Sequence, residues 1–237
     1  MDKTKKLLVS IIAVVLVAIL AIGFCFLWPK QNMETDLLCL NQAITAFSGL
    51  ENGELQSVSS RSSANQDAEM EYIDQIHLLF SQQENQLDYL LEQESTQQQE
   101  TTSFCYKSVS GKMFYQNNQG IWEEEGSSNK VPSVLAEMLS TLEQQNVKKL
   151  SVVKKDGNTV YQVKIQPSSL SDTIGGYQDI SYIKTYTVDS EGMLIQIKTE
   201  NQYVVNQNGK EDTLTVTTET KLINKNQSSI PDAIQQS

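Results

Sequence analysis

Hydrophobic and polar positions divide this chain into one long apolar run and a longer part in which the two alternate. The run begins at Leu7, ends at Trp28 and contains one polar side chain, Ser10. As a helix its 22 residues would extend roughly 33 Å, which exceeds the bilayer hydrocarbon core of about 30 Å. Three lysines precede it, and such short basic flanks stay in the cytoplasm. The pattern predicts a single-pass membrane anchor, with everything after the run on the outer side of the membrane.

Two other interpretations of the run stay open. A signal peptide could be cleaved before Phe24, since Ala21 and Gly23 supply the small residues that cleavage needs. Lipidation at Cys25 is the third interpretation, although Phe24 is not the small residue that usually precedes a lipidated cysteine. The anchor is preferred because the run is longer than a usual signal core and ends in Trp28, which suits a membrane interface.

Helical periodicity predicts two helices after the run. The first has apolar residues near the 3.6 period and stops before the Asn52-Gly53 pair. The second covers 132–145 and has Pro132 at its start, a position that proline favours. Their apolar positions are Leu37, Leu38, Leu40, Ile44, Phe47 and Leu50 in the first, and Val134, Leu135, Met138, Leu139 and Leu142 in the second.

Alternation with a period of two predicts strands over most of the remaining chain. Residues 54–62 could form an edge strand, residues 59–66 read as a loop, and residues 69–82 favour a strand that turns at 83–86 into the next. From Phe104 onward, turn dipeptides recur between runs rich in Val, Ile, Tyr and Thr. These are Ser110-Gly111, Gln119-Gly120, Asp156-Gly157, Glu191-Gly192 and Asn208-Gly209. Hairpins joined in sequence predict a mainly antiparallel sheet.

The predicted class is therefore α+β, with the antiparallel sheet covered on one face by the two helices. The expected layout is a cytoplasmic segment at 1–6, the anchor at 7–28, a linker at 29–35, one β-rich domain at 36–226 and a frayed tail at 227–237.

This order of elements resembles the LolA-like fold of exported bacterial proteins, in particular the LppX and LprG group and related Gram-positive lipoproteins. The resemblance is carried by the leading helix at 40–53, the hairpin at 110–122 with its aromatic residues, the inserted helix at 132–142 and the ending at 230–233. It implies a curved open half-barrel wrapped around the helices. It also implies a cavity for acyl chains, as some members of the group have.

Composition excludes several classes of function. The net charge is −11, and since residues 1–29 carry three lysines and one aspartate, residues 30–237 carry −13. Such an acidic domain is not suited to nucleic acid or anionic lipid head groups. Arg61 is the only arginine, so no arginine cluster for phosphate can form. His77 is the only histidine, and no nucleophile elbow, phosphate loop or zinc motif is present. We expect neither an enzyme, nor a cofactor, nor a metal site.

Three sets of residues remain as candidates. Cys39 and Cys105 would both face a compartment in which a disulfide persists, or each could be a buried small apolar residue. The acidic run 123–125 beside Trp122 reads as a solvated turn. Aromatic residues of the hairpin could line a ligand cavity together with the second helix, although ordinary core packing also explains them. The cavity set is Phe114, Trp122, Leu135, Met138, Leu139 and Leu142.

The leading hypothesis is a membrane-anchored extracytoplasmic domain, without enzymatic activity, that binds a lipid, an acyl chain or another amphipathic ligand between the sheet and the helices. The alternative is a cell-envelope interaction or regulatory domain that has no cavity and binds another protein through strand edges or its acidic surface. A sensor would need a partner, because only six residues precede the apolar run.

Overall fold

The computed structural model describes residues 32–65, 71–83, 86–127, 130–166, 177–207, 210–227 and 229–236. Contacts divide the chain into two units, Met1–Asn32 and Met33–Ser237. The predicted anchor at 7–28 and the predicted Asn208-Gly209 turn lie outside the described residues. None of the described helices has the length and apolar character needed to cross a membrane.

Three α-helices and eleven strands make up the described part of the second unit. The helices are α1 (Met33–Ser48), α2 (Ser133–Leu139) and α3 (Ser229–Gln236). The strands are β1 (Asn52–Ser63), β2 (Tyr72–Gln83), β3 (Gln86–Gln97), β4 (Glu100–Val109), β5 (Lys112–Gln116), β6 (Trp122–Ser127), β7 (Val147–Lys155), β8 (Asn158–Ile165), β9 (Tyr177–Val188), β10 (Leu194–Gln207) and β11 (Lys210–Lys225).

All eleven strands belong to one open antiparallel sheet, which confirms the predicted sheet type. Its order is β6-β5-β4-β3-β2-β1-β11-β10-β9-β8-β7. Hairpins build each half, and the pairing of β1 with β11 joins the two halves. Strands β6 and β7 therefore form the two edges, although the chain runs directly from one to the other through α2.

The two faces of the sheet differ sharply in what covers them. We call the face that carries Leu55 and Leu78 the inner face, because these residues pair with each other and pack with α1 and α2 in one buried cluster. The opposite face, which carries Leu79 and Leu90, is the outer face. It packs against α3 through a separate cluster.

Helix α1 lies across the strands on the inner face. Its last turn places Phe47 beside Phe80 of β2, with ring centroids 6.2 Å apart. Nearer its start, Asp36 and Cys39 are close enough to influence the phenol of Tyr161 on β8. One helix thus covers strands from both halves of the sheet, and its buried residues include Leu40, Ile44 and Phe47.

Strand β1 differs from its prediction in position and length. It is the central strand, paired with β2 and β11, and it continues to Ser63, so the predicted edge strand and the loop at 59–66 are both wrong. A polar strand can lie there because its hydroxyls have partners. Ser57 Oγ lies 2.9 Å from Thr220 Oγ1, and Ser59 Oγ lies 2.9 Å from Thr218 Oγ1. Paired hydroxyls avoid the cost of burial without a hydrogen bond.

The two sequence-predicted helices are present, but α2 is shorter than expected. It ends at Leu139, so Leu142 lies in the following segment. The side-chain amide of Asn41 on α1 holds that segment through two hydrogen bonds. Asn41 Nδ2 donates to the carbonyl of Leu142 at 2.9 Å, and the Leu142 N–H donates to Asn41 Oδ1 at 3.0 Å. The side chain thereby supplies backbone partners that a longer helix would have supplied itself.

The C-terminal residues are not a frayed tail, which corrects the prediction for 227–237. Helix α3 buries Ile230 and Ile234 against the outer face, where they meet Leu90. The two isoleucines are one helical turn apart and therefore share a face, whereas Asp232 and Ala233 between them are exposed. A third helix thus joins the two that the periodicity predicted, and it covers the other side of the sheet.

Candidate functional site

The inner face continues beyond the helical core toward one end of the long strands. We call this part, formed by residues 57–63, 72–76, 93–97, 100–104, 199–205 and 214–220, the open end. Apolar side chains there are only partly covered. Ile76 of β2 is half-buried against the rim of the core. Phe104 of β4 is level with it in the sheet, two strands away, and is 49% exposed.

A second apolar group closes the far part of the open end. Val205 and Leu214 are buried, and Tyr203 packs against them. Between this group and the core lies the band of paired Ser and Thr hydroxyls described for β1 and β11. The inner face therefore alternates from apolar core to hydroxyl band to apolar patch. A surface of that kind suits a ligand with both apolar and polar parts.

A charged pair lies where α2 meets the inner face. Lys184 Nζ is 3.2 Å from Glu137 Oε1, and the side chains are only 11% and 24% exposed. Thr199 Oγ1 donates to the same Glu137 oxygen at 2.8 Å. The lysine ammonium also lies 5.7 Å from the centre of the Tyr182 ring. The three groups link α2 to β9 and β10 by polar contacts at the border of the open end.

Asn201 lies beside this pair in the register, opposite Tyr182. Its side-chain oxygen Oδ1 is buried and accepts no hydrogen bond from the described residues. A buried acceptor without a donor is costly, so a ligand hydroxyl or amide at this point would satisfy it.

The structure divides the predicted cavity residues between the two faces of the sheet. Leu135 and Met138 of α2 are 2% and 0% exposed in the inner-face core, and Leu139 and Leu142 pack against that core. Trp122 instead packs with the outer-face cluster. Phe114 pairs with Lys107, whose ammonium lies 4.4 Å from the centre of the Trp122 ring. The six residues therefore do not line one common space, and their role as a ligand cavity stays a prediction.

The two cysteines are also on different faces. Cys39 is an exposed thiol on α1, and Cys105 is a half-buried thiol in the outer-face cluster. Burial, with the negative charge of Glu92, raises the pKa of the Cys105 thiol above its usual value. The sheet separates the two residues, and both are free thiols, so the structure does not form the disulfide considered from the sequence.

His77 is held between two carboxylates on the outer face. Its Nε2 is 2.9 Å from Glu54 and its Nδ1 is 3.1 Å from Glu92, so the imidazole connects β1, β2 and β3. Burial opposes the charged ring, but the hydrogen bonds to Glu92 and Glu54 and their charges outweigh it, and the pKa of His77 is raised. Burial likewise opposes ionisation of Glu54, yet the hydrogen bonds from Asn224 and His77 lower its pKa.

A polar groove of about 700 Å³ runs over these strands on the outer face. Its walls include Gln56, Gln75, Glu92 and Gln116 around His77. Among the residues that the structure describes, no three His, Cys, Asp or Glu side chains are placed to hold a metal ion. The histidine contacts suit a structural tie between strands.

Sequence reasoning missed Lys184, Glu137 and Thr199. A weak signal for the lysine was present, because it lies between two tyrosines in the alternation Tyr182, Lys184, Tyr186. The glutamate is surrounded by the apolar residues of α2, which gave no sign that it would meet a lysine from a strand 47 residues later.

Comparison with known proteins gives likenesses of structure only. No protein-family model matches this chain, and no curated protein sequence does so. Lipoprotein LppX of Mycobacterium tuberculosis is similar with 13% identity and a TM-score of 0.45, over 83% of this chain and 97% of that one. LprF of Mycobacterium bovis has 11% identity and a TM-score of 0.41, over 82% and 95%. A DUF1329 family protein of Desulfovibrio piger has 10% identity and a TM-score of 0.31, over 82% and 92%. LppX, which the resemblance in the sequence also named, is among these similar structures.

Proposed function

We propose that this domain binds an apolar or amphipathic ligand, a lipid or an acyl chain, on the inner face of the sheet and carries out no chemistry on it. The observation that carries the proposal is the open end, where Ile76 and Phe104 are left partly uncovered next to a packed core. Burial of such side chains by a ligand is favourable by roughly 25 cal/mol for each Å² of apolar surface.

The polar part of the ligand would lie at the border of α2. Asn201 offers an acceptor without a partner among the described residues. A neutral ligand head group with a hydroxyl would donate to Asn201 Oδ1, while Lys184 stays paired with Glu137. Its apolar chain would then extend across the open end toward Ile76 and Phe104.

We further propose that the apolar run at 7–28 anchors the domain in a bacterial cell membrane, with the domain on the outer side. The length of the run and its basic flank support this orientation.

A photoactivatable fatty acid supplied to cells that express the full chain would test the binding proposal. After irradiation, adducts are mapped by mass spectrometry of the purified protein. We expect adducts in 72–83 and 100–109, and we expect Ile76→Asp to remove them. Val153→Asp, a matched change at an exposed position of β7, should leave them in place. Adducts confined to 7–28 would contradict binding by the domain.

The second candidate function is an envelope interaction domain without a ligand cavity. The observation in its favour is the tight packing of α2, since Leu135 and Met138 are almost fully buried and leave no gap at their own positions. The same experiment separates the two candidates, because an interaction domain would take up no fatty acid in its strands.

A further inference from the structure

We propose that the two edges of the sheet pair with each other between copies of this chain, β6 of one copy beside β7 of a second copy. This proposal concerns self-association and is independent of the ligand. Strand edges present N–H and C=O groups that another strand can use. Within the described part of the chain, β6 pairs only with β5 and β7 only with β8, so each has one edge without a strand partner.

The edges carry opposite charges in a chain that is acidic overall. Strand β6 contains Glu123, Glu124 and Glu125, all exposed. Strand β7 contains four lysines, and no ion pair of theirs is formed among the described residues. These are Lys148, Lys149, Lys154 and Lys155. Pairing of like edges, β6 with β6 or β7 with β7, would bring equal charges together, whereas β6 with β7 brings opposite charges together.

The register of the sheet aligns these charges. From Glu124 the pairs run through Phe114, Lys107, Leu90 and Leu79 to Glu54 on the central strand. A second line of paired residues starts at Gln56, two residues after Glu54 on β1, and leads across the other half of the sheet to its opposite edge. That path passes through Lys221, Gln196, Thr187 and Val160 and reaches Val153 of β7.

Strands β6 and β7 run parallel to each other and opposite to β1. Val153 is level with Gln56, so Lys155, two residues later on β7, is level with Glu54 and therefore with Glu124. A second copy that continues the sheet without slipping along the strands therefore sets Glu124 beside Lys155 and Glu123 beside Lys154. The same alignment sets Trp122 beside Val153, which is 61% exposed on the outer face. Two opposite-charge pairs and one apolar pair then coincide along a single parallel strand pairing.

Lysines on an edge strand also protect against uncontrolled pairing, and that is the other explanation for β7. The two explanations differ in what charge reversal does. If the lysines only repel, reversing them changes little, because glutamates repel equally well. If they attract β6, reversing them ends association.

The experiment is native mass spectrometry of the full chain in a mild detergent at low salt. We expect species of two or more copies of the 26.6 kDa chain, weakened by salt. The variants K154E/K155E and E123K/E124K should each give single copies only. An equal mixture of the two should restore association, because each variant then supplies the edge that the other lacks. The control K198E/K221E makes the same change in charge on β10 and β11, away from the edges, and should associate as the unaltered chain does.

Recovery in the mixture also shows that the variants are folded. The proposal is overturned if the unaltered chain stays a single copy at about 100 μM, well above what a weak specific contact requires. It is equally overturned if both reversed variants still associate, if the control dissociates with them, or if the mixture remains single copies.

Discussion

The substitution Glu137→Gln tests whether the polar contact between α2 and the sheet stabilises the fold. It keeps the size of the side chain and an oxygen for the Thr199 hydroxyl, but it removes the charge that faces Lys184. The lysine, 11% exposed, would then hold an uncompensated charge.

The magnitude follows from the burial of the pair. Removing one partner of a fully buried ion pair costs about 3–5 kcal/mol. Because Glu137 is 24% exposed, solvent screens part of the interaction, and we expect a loss of about 2 kcal/mol. For a domain of this length, that loss lowers Tm by roughly 6 °C.

Urea unfolding followed by circular dichroism measures the change in the free energy of unfolding. The double variant E137Q/K184M should recover more than half of the loss, because it removes the unpaired charge. Glu143→Gln, at an exposed position after α2, is the matched control and should change the free energy by less than about 0.5 kcal/mol. If Glu137→Gln is no more costly than this control, the contact is not a stabilising one and the reasoning is refuted.

Three further predictions concern other parts of the sheet. His77 has a raised pKa, so its stabilising contribution is complete below about pH 6.5 and is lost as pH rises through the folded-state value; urea unfolding between pH 6 and 9 should show this loss, and His77→Gln should remove it. Ser57→Ala leaves the buried Thr220 hydroxyl unpaired and should cost about 1–2 kcal/mol by thermal unfolding, with S57A/T220V costing less than the two single changes together. Ile234→Ala should cost about 2–4 kcal/mol and expose α3 to carboxypeptidase digestion, unlike Gln235→Ala; equal digestion of both would show that α3 is not held by this contact.

Local patterns in the sequence were sufficient to predict the β-hairpins. The turn dipeptides and the alternation between them predicted the hairpins, because a turn and a two-residue period act over a few neighbouring residues. Ser110-Gly111 and Asp156-Gly157 both adopt positive φ at each residue, as tight hairpin turns require. The strand predicted at 69–82 is present as β2 and shows the two-residue alternation, since Leu78 and Phe80 are buried and Ile73 is exposed.

Central position in the sheet could not be read from composition. Strand β1 is polar enough to suggest an edge, and it lies in the middle because its serines meet threonines about 160 residues later in the chain. Likewise, α3 is too short to be stable alone, so it depends on the patch formed by β2, β3 and β4. Neither partner is visible within a local window of sequence.

For the candidate site, the sequence by itself determined which residues are apolar, that an antiparallel sheet would form and that helices would cover it. The tertiary structure alone decided which face each residue joins. Phe114 and Trp122 lie outside the predicted cavity because the register of β4, β5 and β6 puts both on the outer face, where Trp122 packs with the α3 cluster. Lys184 and Glu137 became neighbours because the segment between β6 and β7, which contains α2, brings Glu137 to the inner face. That is a long-range contact that no periodicity encodes.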